Sequence, residues 1–197
     1  MKNHKLNRLI CLALWMTVFW LPTLSKAQAG ETYLQLVARV SKTGVTQHLF
    51  QPTIEGQLFA LANAYRQSHG LAPLKQDETM LLAARAHAMD MLQHHFLGHT
   101  ASTGQDFDSR MRALHGGAMI LPSMGENAVM WKSTRLPQDG LAQKLFQSWV
   151  NSSEHRHTLL SRDYIKVSTG VAMSGNEIYA DQIFVGPEVS TNMFKSQ

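Results

Sequence analysis

The stretch HHFLGHT, residues 94–100, places three histidines within six positions. Imidazole side chains can bind metal ions, transfer protons near neutral pH or simply lie in solvent. The sequence therefore allows a metal site, a catalytic base with two neighbours, or a histidine-rich surface loop. Which of these applies depends on the other side chains that the fold brings to the same place.

The three histidines differ in their expected positions. His94 and His95 end a long helix-forming run, and a histidine there interacts favourably with the helix C-terminus. That interaction is enough to explain both residues. His99 follows Gly98 in a loop, which a packed scaffold can direct inward. His99 is therefore the functional candidate of the three.

Two further stretches contain groups that could join His99. In GENAV, residues 125–129, Glu126 enters an apolar run, and a buried carboxylate is costly unless it has a partner. In WVNSSEHRHTLL, residues 149–160, Ser152 precedes His155 by three positions at a predicted helix start. A serine there usually caps the helix, so Ser152 is not expected to be a nucleophile.

Hydrophobic periodicity and capping signals predict the elements that position these residues. Helices are expected over residues 55–69, 77–95, 106–115, 137–150 and 154–160, with Asp77 as the N-cap of the second. Strands are expected over 126–131, 166–173 and 177–185, the last two as a hairpin around SGN. Residues 33–40, YLQLVARV, could be a strand or a helical turn. This pattern predicts the α+β class, with helices packed on a small antiparallel sheet.

The N-terminus has the three parts of a secretory signal peptide. Basic residues come first, an apolar run over residues 9–24 follows, and AQAG then supplies a cleavage site after Ala29. A membrane anchor is the alternative, but the run has only about 16 residues and contains Pro22, which is short for a span. We therefore expect residues 1–29 to be removed. No second long apolar stretch exists, so no stable membrane span is expected afterwards.

Removing this segment changes the charge and the cysteine content. It holds four of the 18 basic residues and none of the 14 acidic ones, which leaves 14 of each. The basic pI is therefore no evidence for nucleic-acid binding. The one cysteine, Cys11, also lies in the segment. Thiol catalysis, thiolate metal sites and disulfides are thus excluded for the mature chain.

At this point the chain from about Leu58 to Phe184 resembles the CAP superfamily, the cysteine-rich secretory, antigen 5 and pathogenesis-related proteins, also called SCP-like. It looks closest to the bacterial members. The resemblance rests on six pieces in order: NAYRQSHGLAPLKQDETMLLAARAHAMDM, FLGHTASTG with His99, DSRMRALHG with Arg110, GENAV with Glu126, the W-x-x-S-x-x-H-R-x-x-L-L pattern with His155, and YADQIF. No disulfide framework accompanies them.

The resemblance implies an α-β-α sandwich with a cleft lined by histidine and glutamate. Carried over motif by motif, it implies that His99, Glu126 and His155 line this cleft. A second glutamate and a histidine of the animal and plant members are not matched, since STGVA stands where those members have G-H-Y-T-Q. The expected organisation is a signal peptide over 1–29, an N-terminal extension or linker over 30–54, the CAP domain over 55–187 and a tail over 188–197.

Two imidazoles and one carboxylate suit a zinc ion with water in the fourth position, so His99 and His155 are possible metal ligands. The helix-borne H-E-x-x-H motif is absent. Two function classes stay open. The first is an exported binding domain for a lipid, glycan or peptide, and the second is a metal-dependent or His/Glu-assisted hydrolase. Because no complete catalytic set is evident, the sequence favours the binding domain over an enzyme. It does not indicate an oligomeric state.

Overall fold

The computed structural model describes residues 31–42, 46–132 and 140–188. The predicted signal peptide and nearly all of the predicted C-terminal tail lie outside these residues. Within the described ranges, no helix is both long and apolar enough to cross a membrane.

Six α-helices and three strands make up the described chain. The helices are α1 (Tyr33–Ser41), α2 (Pro52–Ser68), α3 (Glu78–His94), α4 (Phe107–Leu114), α5 (Leu141–Asn151) and α6 (Ser153–Leu160). The strands are β1 (Met124–Lys132), β2 (Lys166–Ser174) and β3 (Glu177–Val185), and a short 3-10 turn spans Gln47–Leu49. Each of the five predicted helices and three predicted strands has a counterpart among the described residues, although residues 137–139 of the fourth predicted helix lie outside them. The α+β class is confirmed.

The stretch YLQLVARV, for which the sequence allows a strand or a helical turn, forms helix α1. Thr32 begins it with a capping box, in which the Thr32 side chain accepts from the Gln35 amide and the Gln35 side chain accepts in return. Tyr33 and Val40 are buried in the core against α3. The start of α2 also differs from the expected Glu55. It begins at Pro52, because a proline is well suited to the first helical position.

The three strands form one antiparallel sheet in the order β1-β3-β2. The predicted hairpin joins β2 to β3 through Gly175 and Asn176, and Gly175 has a φ of 58° that favours glycine. β3 lies in the centre and is buried along its whole length. Glu126 opposes Ile183 across the β1–β3 pair, and Asp181 opposes Ala128, two positions further along β1.

Both faces of the sheet are covered by helices, which confirms the α-β-α sandwich. One apolar cluster joins α1, α3 and α4 to a sheet face that includes Tyr179 and Ile183. The other joins α2, α5 and α6 to the opposite face, which includes Ile178 and Phe184. The alternation along β3 therefore decides which layer each side chain enters.

Helix α3 lies against the sheet and positions one wall of the site. The Asp77 side chain caps it by accepting from the Met80 amide at 3.1 Å, as predicted, and Lys166 of β2 lies 2.9 Å from the same carboxylate. The backbones of α3 and β2 come very close at Gly170. A Cβ at that position would overlap the backbone of Ala84 and Arg85. Only glycine permits this approach.

Candidate functional site

The central contact of the site joins the loop after α3 to the start of β1. Nδ1 of His99 lies 2.8 Å from Oε2 of Glu126. The His99 side chain is 53% exposed, whereas that of Glu126 is only 2% exposed. The hydrogen bond to Glu126 is the main reason why the pKa of His99 is raised above its ordinary value, with burial opposing it.

Arg110 provides the partner that a carboxylate at the start of a buried strand requires. Its Nη2 donates to Oε1 of Glu126 at 2.7 Å and to the backbone oxygen of His99 at 3.1 Å. The Arg110 side chain is fully buried and lies over the rings of Tyr33 and Phe107. Burial alone would raise the pKa of Glu126, but His99 and Arg110 together hold it below its usual range.

His155 belongs to α6 in the opposite helical layer and is linked to β1 through its backbone. Its backbone oxygen accepts from Nδ2 of Asn127, the residue after Glu126, at 3.2 Å. Burial lowers the pKa of His155, and the charge of His99 lowers it further. Ser152 caps α6, since its hydroxyl accepts from the His155 amide at 3.4 Å. The Ser152 hydroxyl therefore caps the helix, as the sequence predicts, and does not take the position beside an imidazole that a nucleophile needs.

Beneath the pair lie two polar side chains that the sequence analysis did not single out. His87 of α3 and Asp181 of β3 have no exposed surface. One ligand atom from each, together with one from Glu126, lies within 4.8 Å of the others. Burial raises the pKa of Asp181 well above its ordinary value and lowers that of His87. Among the described residues, this cluster has the closeness that a three-ligand metal site needs.

A signal for both residues does exist in the sequence. Asp181 interrupts the apolar strand IYADQIF, and His87 stands among alanines and methionines in the most buried part of α3. Charged or polar groups in such runs need partners from elsewhere. Neither residue belongs to the histidine-rich stretch HHFLGHT, and no motif of the chain links them to it.

The other two histidines of HHFLGHT lie at the end of α3. His94 is the last helical residue, and its Nδ1 lies 3.0 Å from an oxygen of Asp90. His95 follows in a left-handed conformation with a φ of 53°, and its Nδ1 lies 2.9 Å from Oε2 of Glu177. His95 and Glu177 line a separate cavity of about 620 Å³. Both histidines are thus turned to other partners than His99.

Comparison with known proteins places the chain in a family. The model of the cysteine-rich secretory protein family, CAP, matches residues 59–187. The chain is 31% identical to YkwD of Bacillus subtilis (strain 168) over 133 residues, which is 67% of this chain and 47% of YkwD. It is also 31% identical to the membrane protein YlbC of the same strain over 121 residues, 61% of this chain and 32% of YlbC. The chain therefore spans about half the length of one relative and a third of the other.

Solved structures share the fold. An extracellular protein of Bacillus anthracis str. Ames that contains an SCP domain aligns with a TM-score of 0.56 at 24% identity, over 70% of this chain and 41% of its own. An outer surface protein of Borrelia burgdorferi aligns with a TM-score of 0.58 at 17% identity, over 69% of this chain and 94% of its own. At these identities the likeness concerns the fold. The family match covers most of the chain, so this protein belongs to the cysteine-rich secretory protein family, CAP.

Proposed function

We propose that this protein is an exported domain that binds a small ligand, a lipid, glycan or peptide, in a cleft at His99, Glu126 and His155. The observation that carries the proposal is the exposed His99 imidazole held on a buried ion pair, Arg110 with Glu126. Burying two charges costs several kcal/mol per ion before pairing repays it. A fold that needed only stability could fill this space with apolar side chains.

The two histidines offer complementary hydrogen-bonding groups. With its pKa raised, His99 is the ring that more readily carries two protons, so its Nε2 can donate to a carbonyl, carboxylate or phosphate oxygen. With its pKa lowered, His155 stays neutral and can accept from a hydroxyl or amide. A ligand that has both an acceptor and a donor close together matches this pair. Sugars, peptides and lipid headgroups all meet that requirement.

The test uses the imidazole resonances of the full chain during titration with three probes: a short chitin oligosaccharide, an alanine-rich tripeptide and a lysophospholipid below its micelle concentration. Binding should shift the His99 and His155 signals and should be lost in His99→Ala. His94→Ala is the matched control, because its side chain is 55% exposed and comes from the same segment. Equal losses in both variants, or no shift with any probe, would count against the cleft.

Hydrolysis is the second candidate, and the His99–Glu126 bond favours it. A carboxylate that accepts from Nδ1 leaves Nε2 free to act as a base toward water. Because Ser152 caps α6, water would have to be the nucleophile, activated by His99 or by a zinc ion at His99 and His155. Steady turnover of a ligand found by the titration, abolished in Glu126→Gln, would establish the enzyme. Binding of the ligand without turnover would support the binding domain and count against the hydrolase.

Export is part of the proposal. The charged start, the apolar run and AQAG support cleavage after Ala29. Two structural neighbours are described as extracellular and outer-surface proteins. N-terminal sequencing of protein from the cell envelope or medium should give a chain that begins at Gly30. Recovery of the chain from Met1 in the membrane fraction would show an anchored protein.

A further inference from the structure

The cluster beneath the cleft consists of His87, Glu126 and Asp181, and we call it the buried acceptor cluster. The residues come from α3, β1 and β3, the three elements that meet on one face of the sheet. His87 and Asp181 are completely buried, and the Glu126 side chain is 2% exposed. The proposed ligand cleft uses only the outer oxygen of Glu126, through His99. The inner part of the cluster has no role in it.

The inner atoms of this cluster are acceptors without a partner, although Arg110 donates to the Glu126 side and its own Nε is also unpaired among the described residues. Nε2 of His87 lies 2.8 Å from the backbone oxygen of Gly98, and a carbonyl can only accept, so Nε2 carries the hydrogen. Nδ1 of the neutral ring is then an acceptor. Neither Nδ1 of His87 nor either oxygen of Asp181 has a hydrogen-bond partner among the described residues. A buried acceptor without a partner costs about 1–3 kcal/mol.

We propose that a divalent transition-metal ion, with zinc as the best match, binds between His87 Nδ1, Glu126 and Asp181. One imidazole nitrogen and two carboxylate oxygens are ligand types that zinc accepts, and the ligand atoms lie within 4.8 Å of one another. Arg110 balances the charge of one carboxylate, which leaves the second to offset part of the charge of the ion. The cation would give a partner to the unpaired Nδ1 of His87 and to the Asp181 carboxylate at once.

The position of the site gives it a structural role under the cleft. The Gly98 oxygen that receives the His87 hydrogen belongs to the residue before His99. Arg110 donates to both the His99 backbone oxygen and Glu126. A cation in the cluster would therefore hold Glu126 directly, and would hold the His99 loop through His87 and the Gly98 oxygen. Because its ligands are buried, this ion has no open side for substrate and differs from the zinc considered at His99 and His155.

The test measures zinc binding and thermal unfolding of the full chain after stripping with dipicolinate. We expect one zinc ion per chain, a rise in Tm on adding zinc, and a visible absorption band when cobalt(II) replaces it. Asp181→Asn keeps the shape of the side chain but removes its charge, and His87→Gln removes the ligand nitrogen. Each should weaken zinc binding by more than the roughly 10–100-fold that loss of an outer-shell partner costs.

The double variant His99→Ala with His155→Ala separates this site from the cleft. It should still bind zinc and show the cobalt band. Loss of zinc in this variant together with its retention in Asp181→Asn would overturn the proposal and assign the ion to the cleft. Absence of zinc binding by the stripped wild-type chain would also overturn it, and would mean that a hydrogen shared by the two carboxyl groups fills the cluster. If Asp181→Asn does not fold, as judged by circular dichroism, His87→Gln decides the outcome.

Discussion

Nδ1 of His99 lies 2.8 Å from Oε2 of Glu126, although 27 positions separate the two residues in the chain. Two elements create the contact. The helix α3 ends early enough to turn the His99 loop back over the sheet, and β1 directs Glu126 to the same face. The buried carboxylate of Glu126 thus controls the protonation of the exposed His99 ring.

The imidazole of His99 should titrate above the ordinary histidine pKa of about 6.5, and that of His155 below it. Because the fold raises the pKa of His99, its contribution to stability is fully present below about pH 6.5 and is lost as the pH rises through the folded value. Glu126→Gln should bring the His99 value down. Two-dimensional NMR of the imidazole resonances against pH measures the pKa values of His99 and His155 in the wild type and that of His99 in Glu126→Gln. A His99 that titrates below free histidine would contradict the pairing.

Arg110→Met should destabilise the fold by about 3–5 kcal/mol, because it leaves the Glu126 charge buried without its main partner. Arg39→Met is the matched control. Arg39 pairs with Glu31 at 2.8 Å, but both side chains are at least 32% exposed, so its loss should cost less than about 1 kcal/mol. Urea unfolding followed by circular dichroism gives both values. Equal costs would mean that the Arg110–Glu126 pair does not behave as a buried one.

Asp77→Ala should cost about 1 kcal/mol through loss of the α3 cap, and more through loss of the Lys166 contact. Burial raises the pKa of Asp77, but the bonds from Lys166 and Met80 outweigh it and the net shift is downward. The stability it provides is therefore present above the ordinary value near pH 4 and is lost as the pH falls through the lowered one.

Stability curves of wild type and Asp77→Ala between pH 2 and 7 should accordingly converge at the acid end. Lys166→Gln keeps the cap and removes only the ion pair, so it should lose less than Asp77→Ala at neutral pH. A constant difference across the range would show that the charge of Asp77 contributes nothing.

Gly170→Ala should destabilise the protein by about 1–3 kcal/mol or more, since its Cβ has to displace the α3 backbone from β2. Gly56→Ala is the control, because a Cβ there meets nothing within 4 Å in helix α2. That change should stabilise the fold by about 0.4–1 kcal/mol. The Tm of Gly170→Ala should therefore fall below that of the wild type, and the Tm of Gly56→Ala should rise above it. A neutral Gly170→Ala would mean that the two layers are less tightly packed than the structure has them.

Local signals in the sequence were enough for most of the fold. Asp77 marks the start of α3, and the serine pair Ser152 and Ser153 marks that of α6, because a capping side chain acts on amides within its own turn; Ser152 is the one that caps. The hairpin was equally visible, since its turn and alternation lie within one continuous stretch. The start of α2 is less visible, because the helical periodicity begins at Glu55, whereas the helix itself begins three residues earlier at Pro52.

The candidate site could be predicted only in part. The need of Glu126 for a partner followed from its place in an apolar strand, but not that Arg110 would supply it from α4. His87 and Asp181 each stand out as a polar group in an apolar run, but that they meet each other depends on the packing of α3 on the sheet, which no spacing in the chain encodes. Whether the cleft binds a ligand stays a prediction for the experiments above.

The strand order β1-β3-β2 also bears on when the site can first exist during folding. β2 and β3 pair through a two-residue turn, and hairpins of that kind form in about 1–10 μs. β1 pairs only with β3, and α5, α6 and β2 lie between the two strands in the chain. Closing so long a loop carries an entropic cost before the contacts between β1 and β3 form. We therefore expect Asp181 to take its place in the hairpin before β1 brings Glu126 to the sheet. In a chain that emerges N-terminus first, β1 has no strand to pair with until residues near Val185 have appeared, so we expect the Glu126 carboxylate to stay exposed to water until then.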